Sequence, residues 1–236
     1  MSNTTQSYLR GFRHAAPFTL VIVPFAMLFG LLASEAGLHV YEIIIFSLTV
    51  FAGASQFAAL QLMQDQAPVL VILATALAVN LRMLMYSVAL APHLGAAPLG
   101  IRAVMAYFLV DQSFALSIAE FESQPALTMP EKVGYFFGVV TPITPVWMGS
   151  TIAGALAGRA IPPEYALDFA VPIAFLAMSA PMIRTAAHAV AVMVSVGLTL
   201  ALWTLPFGTG LLVAASCGMA AGALTEGWVE RKGSAL

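Results

Sequence analysis

Two charged residues lie deep inside apolar stretches of this chain. Arg82 and Asp111 stand ten and eight residues from the nearest end of their blocks. A charge at such depth costs several kcal/mol unless it is paired or used, so each is a candidate functional group. A guanidinium offers a carboxylate two parallel hydrogen bonds. An aspartate can meet an ammonium, or take up a proton and couple its movement to transport. Together they supply what a zwitterion needs; the competing reading is a structural ion pair holding two segments together. In Asn80-Leu81-Arg82-Met83-Leu84-Met85-Tyr86, Tyr86 shares a helical face with Arg82, whereas Asn80 does so only if the helix is distorted. By itself Asn80 reads as an interhelical hydrogen-bonding residue.

A second cluster is Gly53-Ala54-Ser55-Gln56. Small residues let membrane helices approach closely, which accounts for Gly53 and Ala54. It does not account for Gln56, whose amide needs partners at that depth. A helix broken here would expose backbone N–H groups suited to a carboxylate, with Ser55 and Gln56 beside them.

Other chemistries lack their residues. No His-Glu-x-x-His, Gly-x-Ser-x-Gly or phosphate-cradling glycine loop is present. The four histidines lie near segment ends, leaving Ser55 without a base at its depth. An enzyme is therefore not expected. The histidines and the single Cys217 form no set with metal-ligand spacing, so neither a metal nor another cofactor is expected. The net charge is -2 with no basic run, which excludes a nucleic-acid partner.

The elements that must carry these residues are membrane helices. Of 236 residues, 61% are apolar and 8% charged, against roughly 25% charged in a soluble domain. A spanning helix takes about 20 apolar residues. The apolar segments run Ala15–Ser34, Ile43–Gln64, Gln66–Pro92, Ala103–Ala119, Val133–Gly158, Phe169–Ile183, and Ala189–Thr225. The last is divided at Leu205-Pro206-Phe207-Gly208, giving eight in all. No removable signal peptide is read at the polar N-terminus, and no loop is long enough for a second domain. The expected fold is an all-α integral membrane protein, a single transporter domain over residues 1–236.

A shift of 118 positions lays Phe51–Phe57 on Phe169–Phe175 and Pro24 on Pro142. This points to two pseudo-repeats, residues 15–119 and 133–225, with segments two and six interrupted. Gly53, Pro142, Pro145 and Pro172 are the expected helix-breaking positions. Paired interrupted segments mark transporters with a site near the bilayer midplane. If segments two and six re-enter without crossing, the Lys and Arg tally leaves only Lys132 outside, and the two halves are inverted. A passive channel for small metabolites is the nearest rival, since it too needs buried polar groups.

In their order and spacing, these residues resemble the AzlC family. The resemblance is carried by Phe51-Ala52-Gly53-Ala54-Ser55-Gln56-Phe57, by Asn80-Leu81-Arg82 with Tyr86, and by Asp111 with Phe114. It continues in Trp147 with Thr151, Gly154 and Gly158, and in Leu167-Asp168-Phe169-Ala170. The resemblance implies the large subunit of a two-component exporter of branched-chain amino acids (valine, leucine, isoleucine, with methionine also in the family's range). It also implies a small AzlD-type membrane subunit, coupling to protons, and a place in the bacterial inner membrane. By position, the family's Asn-x-Arg motif and intramembrane acid fall on Asn80, Arg82 and Asp111. Two departures stand out: Met83 where the family often has His, and Gln112 where the acid is usually followed by Glu. Both remove a titratable group and leave Asp111 as the principal proton candidate. Transport of another small apolar amino acid is the variant reading.

Overall fold

The structure, a computed structural model, describes residues 3–158, 183, 185–205 and 209–233. Among them the chain is helical, with no strand. Helix α1 (Asn3–Ala15) passes through one 3-10 turn (Ala16–Phe18) into α2 (Thr19–Glu35). There follow α3 (Val40–Thr49), α4 (Gly53–Gln64), α5 (Val69–Leu94), α6 (Leu99–Tyr107), α7 (Asp111–Ser123) and α8 (Met129–Gly158). The last two are α9 (Ala186–Ala201) and α10 (Thr209–Gly233). Among the described residues, four stretches are long and apolar enough to cross a membrane: Asn3–Glu35, Val69–Leu94, Met129–Gly158 and Thr209–Val229. The remaining helices of the first 123 residues are too short: at 1.5 Å per residue, 9 to 13 residues cannot cover a core of about 30 Å.

The chain forms two compact units, Met1–Phe57 with Val79–Tyr165, and Ala58–Ala78 with Ala166–Leu236. In the second unit α9 and α10 pack as an antiparallel pair. Gly218 lies against Ala191 and Ser195, and Gly222 against Ala187 and Ala191.

The first unit is organised on α8. The α1–α2 run lies along it in the same direction, Gly134 against Thr4, Gly138 against Tyr8, Gly154 against Met27 and Gly158 against Leu31. Glycine is required at this seam. A Cβ on Gly30 would fall 1.9 Å from the Thr151 carbonyl oxygen, and one on Gly154 1.9 Å from that of Met27. Such backbone-to-backbone approach is how membrane helices pack when apolar burial gives no net drive between them.

Two helical hairpins complete this unit. In the first, α3 and α4 turn back on each other across residues 50–52: the Gln56 amide donates to Ser47 Oγ at 3.1 Å, and Phe46 and Phe57 both pack on Phe29. In the second, α7 returns alongside α5 and in its direction, with Tyr86 stacked on Phe114 at 4.2 Å and His93 near Phe121 at 5.6 Å. Since α6 begins five residues after α5 ends, both ends of the α6–α7 hairpin lie at the C-terminal end of α5.

The two hairpins are related. A shift of 57 positions carries Phe25 to Arg82, Phe29 to Tyr86, Phe51 to Phe108, Ala54 to Asp111 and Phe57 to Phe114. The Phe29–Phe57 ring contact thus recurs as Tyr86–Phe114. The copies are inverted. The α1 end of the α1–α2 run lies by the start of α8, because Gly11 in α1 meets Tyr135. The C-terminal end of α5 reaches the same place through Phe121, which sits under Lys132 Nζ.

Several sequence expectations change. The break in segment two precedes Gly53–Gln56, which forms the first turn of α4. Segment four, read as continuous, is broken at residues 108–110. Pro142 and Pro145 do not break α8, which is helical throughout. Each proline removes one backbone donor, and neighbouring helices can hold the remaining turns together. Pro172 and segment six, apart from Ile183, lie outside the described residues. The first segments of the halves 15–119 and 133–225 run parallel, not inverted as expected. Lys132 lies at the N-terminal end of the unit, with Arg10 and Arg13, and not opposite them.

Candidate functional site

Asp111 owes its position to the break before it. Val110 is extended, and its N–H donates to Ser113 Oγ at 2.8 Å, which starts α7 and makes Asp111 its first residue. A carboxylate there faces the positive end of the helix dipole. The α7–α5 packing then brings Asp111 to Arg82. Asp111 Oδ2 lies 3.1 Å from Arg82 Nη1, and Tyr86 donates its hydroxyl proton to Asp111 Oδ1 at 2.9 Å. Tyr86 is held flat against Phe114, so its phenol is directed by packing as well as by the hydrogen bond.

The group is satisfied only in part. Arg82 Nε has no hydrogen-bond partner and is shielded from solvent, as is Asn80 Oδ1. An unpaired donor on a guanidinium already bound to one carboxylate leaves capacity for a second anion. Three of the expected site residues, Arg82, Tyr86 and Asp111, are therefore brought together. Asn80 is not: α5 is helical from Val69 to Leu94, so a residue two positions before Arg82 points elsewhere.

Ser55 and Gln56 serve the first hairpin. Ser55 Oγ donates to the Ala52 carbonyl at 2.9 Å, and Gln56 ties α4 to α3 through Ser47. Both are fully buried, and Gln56 Oε1 accepts nothing. Gly53 begins α4 under two aromatic rings: a Cβ there would come within 2.6 Å of Phe25 and 2.7 Å of Trp147. The first N–H groups of α4 and of α7 lack helical partners, as at any helix start.

The two hairpin tips touch. Tyr107 donates to the Leu48 carbonyl at 2.5 Å, and Phe51 packs on Phe108 and Tyr107. Polar groups flank one side of this junction (Arg82, Tyr86, Asp111). Their counterparts 57 positions earlier are Phe25, Phe29 and Ala54.

Sequence reasoning missed the tip residues Leu48, Tyr107 and Phe108, and it missed Glu120. Glu120 is buried on α7, 2.9 Å from Arg10 Nε, and accepts from Gln124 at 2.6 Å. Beside it, His14 Nδ1 and the Tyr135 hydroxyl are 2.8 Å apart. These bonds clamp the far end of α7 to α1, and α1 in turn to α8. The repeat at 57 positions was the signal that could have revealed the second hairpin.

The family described as AzlC protein matches residues 17–161. An uncharacterized membrane protein of Archaeoglobus fulgidus is 29% identical over 225 residues, spanning 94% of each chain. Inner membrane protein YgaZ of Escherichia coli K12 is 24% identical over 176 residues, which is 72% of this chain and 71% of its own. No solved structure matches.

Proposed function

The chain belongs to the AzlC family of membrane proteins, and from that premise we propose that it is the large permease subunit of a branched-chain amino-acid exporter. It is a carrier and not an enzyme. It acts with a small AzlD-type membrane subunit in the bacterial inner membrane, and proton movement drives export. Valine, leucine and isoleucine are its substrates, with methionine at the edge of its range.

The observation that carries this reading is the Arg82–Asp111–Tyr86 group at the meeting of two broken helices. A zwitterion can enter this ion pair without changing the local charge. Its carboxylate takes the free face of Arg82, and its ammonium takes Asp111 with Tyr86 alongside. Desolvation of each charge is then offset by the charge it displaces. The aliphatic side chain is left facing the aromatic residues around the tips. Arg82 gives the two-pronged recognition of a carboxylate that a lysine cannot.

Proton coupling falls to Asp111. Protonation removes its charge and its hold on both Arg82 and the substrate ammonium, which favours release. The two hairpins enter the bilayer from opposite faces and block the path where their tips meet. Separation on one face at a time would give alternating access. The cluster of Arg10, Arg13, Arg102 and Lys132 at one end of the unit, opposed by Glu35 and Glu42 at the other, sets the N-terminal end on the cytoplasmic side.

Efflux from cells loaded with leucine- or valine-containing dipeptides tests the assignment. With the small subunit present, export should exceed that of cells lacking the chain and fall when the proton gradient is collapsed. Export of unrelated metabolites at the same rate, insensitive to the gradient, would sink it in favour of a channel.

A further inference from the structure

A cavity of about 140 Å³ lies between α5 and α6, apart from the site just described. Ser87, Leu90 and Leu94 line it from α5, Met105 from α6, Leu109 from the break after α6, and Phe136 from α8. Its one charged lining residue is Arg102, exposed and without an ion pair among the described residues. No carboxylate lines it, so it offers nothing to the ammonium of an amino acid.

The order of the lining residues gives the cavity a direction. Helix α5 runs from Ser87 to Leu94 toward the end of the unit that carries Arg10, Arg13 and Lys132. Helix α6 starts there and climbs from Arg102 through Met105, and the chain after it reaches Leu109. The groove thus begins at a guanidinium near the basic end and continues as apolar surface toward the hairpin tip. A phospholipid has the same order of chemistry along the bilayer normal, phosphate at the interface and hydrocarbon inward. Arginine grips phosphate oxygens with paired donors, and basic sites between helices on the cytoplasmic side select anionic headgroups.

We propose that this groove seats part of one acyl chain of an anionic phospholipid, with the lipid phosphate on Arg102. The volume suits a short stretch of hydrocarbon, so the headgroup and second chain remain in the surrounding leaflet. The bound chain lies along α6, the outer arm of the second hairpin, and stabilises that arm against α5.

The test uses the purified full chain in detergent, with its thermal unfolding midpoint followed as phosphatidylglycerol, phosphatidylcholine or inorganic phosphate is added. Phosphatidylglycerol should raise the midpoint at concentrations where the other two do not. Arg102→Gln should need about five- to tenfold more phosphatidylglycerol for the same rise, and Arg102→Lys should keep most of the effect. Ala106→Phe, which fills the groove and leaves Arg102 in place, should also weaken it. If Ala106→Phe does not fold, the Arg102 pair alone decides. An equal response to phosphatidylcholine, or an unchanged response in Arg102→Gln, overturns the proposal. A rise with inorganic phosphate alone would assign the groove to a free anion, and overturns it too. None of these readouts depends on transport, so the result stands apart from the exporter assignment.

Discussion

Phe51 and Phe108 meet edge to face, ring centroids 5.8 Å apart and planes at 83°. They occupy equivalent places in two inverted hairpins, 57 positions apart in the chain. A contact between equivalent residues lies on the axis that relates the copies, so both hairpins depend on the same junction. With the Tyr107 hydroxyl on the Leu48 carbonyl, it joins the two tips between the polar group on one side and the aromatic group on the other.

Locking this junction should stop transport and spare folding. In a Cys217→Ser background, Phe51→Cys with Phe108→Cys, joined by a short bifunctional thiol reagent, should lower efflux at least about tenfold, as expected when an essential conformational step is blocked. Either single cysteine treated the same way should keep most of its rate. Unimpaired efflux from a fully cross-linked double variant would mean that the tips need not part.

Membrane sidedness is the second expectation. The corrected arrangement puts Lys132, the 95–98 turn and Arg10 on one face, and the α2–α3 turn at Gly37 on the other. Single cysteines at Ala96 and Lys132 should react with an impermeant thiol reagent only when the cytoplasmic face is exposed. One at Gly37 should react in intact cells. Labelling of Lys132→Cys from outside would restore the topology read from the charge tally.

Composition made the helical membrane character legible, because the lack of charge in long blocks leaves no other way to satisfy the backbone. The polar site was legible for a related reason: Arg82 and Asp111 are costly in an apolar block wherever the helix runs. Their partnership was open, since sequence does not say which helices touch. The break at residues 50–52 was nearly located by the glycine that follows it. The break at residues 108–110 had no such marker. Phe108-Leu109-Val110 reads as ordinary membrane helix, and only its likeness to the Phe51 region betrays it. Pro142 and Pro145 misled in the opposite direction, as a membrane helix supported by neighbours tolerates what would end an isolated one.

The glycine seam supports the unit that holds the site. Gly30 and Gly154 lie where α2 and α8 approach backbone to backbone. Their Cβ atoms would meet carbonyl oxygens, which cannot swing aside as a side chain can. Gly154→Val should therefore cost about 1–3 kcal/mol or more, seen as a lower melting temperature and a smaller monodisperse fraction on size exclusion. Gly149, with open space where a Cβ would go, should accept alanine with little change. Equal tolerance at both positions would remove the close-packing account of the seam.

The decisive chemical question is whether Arg82 and Asp111 hold helices or hold substrate. A purely structural pair is symmetric in charge, so Arg82→Asp combined with Asp111→Arg should recover much of what either change loses. A substrate pair is not symmetric, because an amino acid turned end for end to match the exchanged charges would also move its side chain. The swapped protein should therefore fold and insert, yet export leucine at a small fraction of the normal rate. Single charge removals are poor evidence alone, since an unpaired charge left within the membrane can unfold the protein, at about 3–5 kcal/mol in buried sites. Arg82→Lys avoids that problem. It keeps the charge and loses the planar two-pronged donor, so apparent substrate affinity should fall about tenfold while expression and melting temperature hold. Asp111→Asn should insert normally and lose either efflux or its dependence on pH. Near wild-type export of valine or leucine by the swapped double variant would show that the pair is structural and that the substrate binds elsewhere.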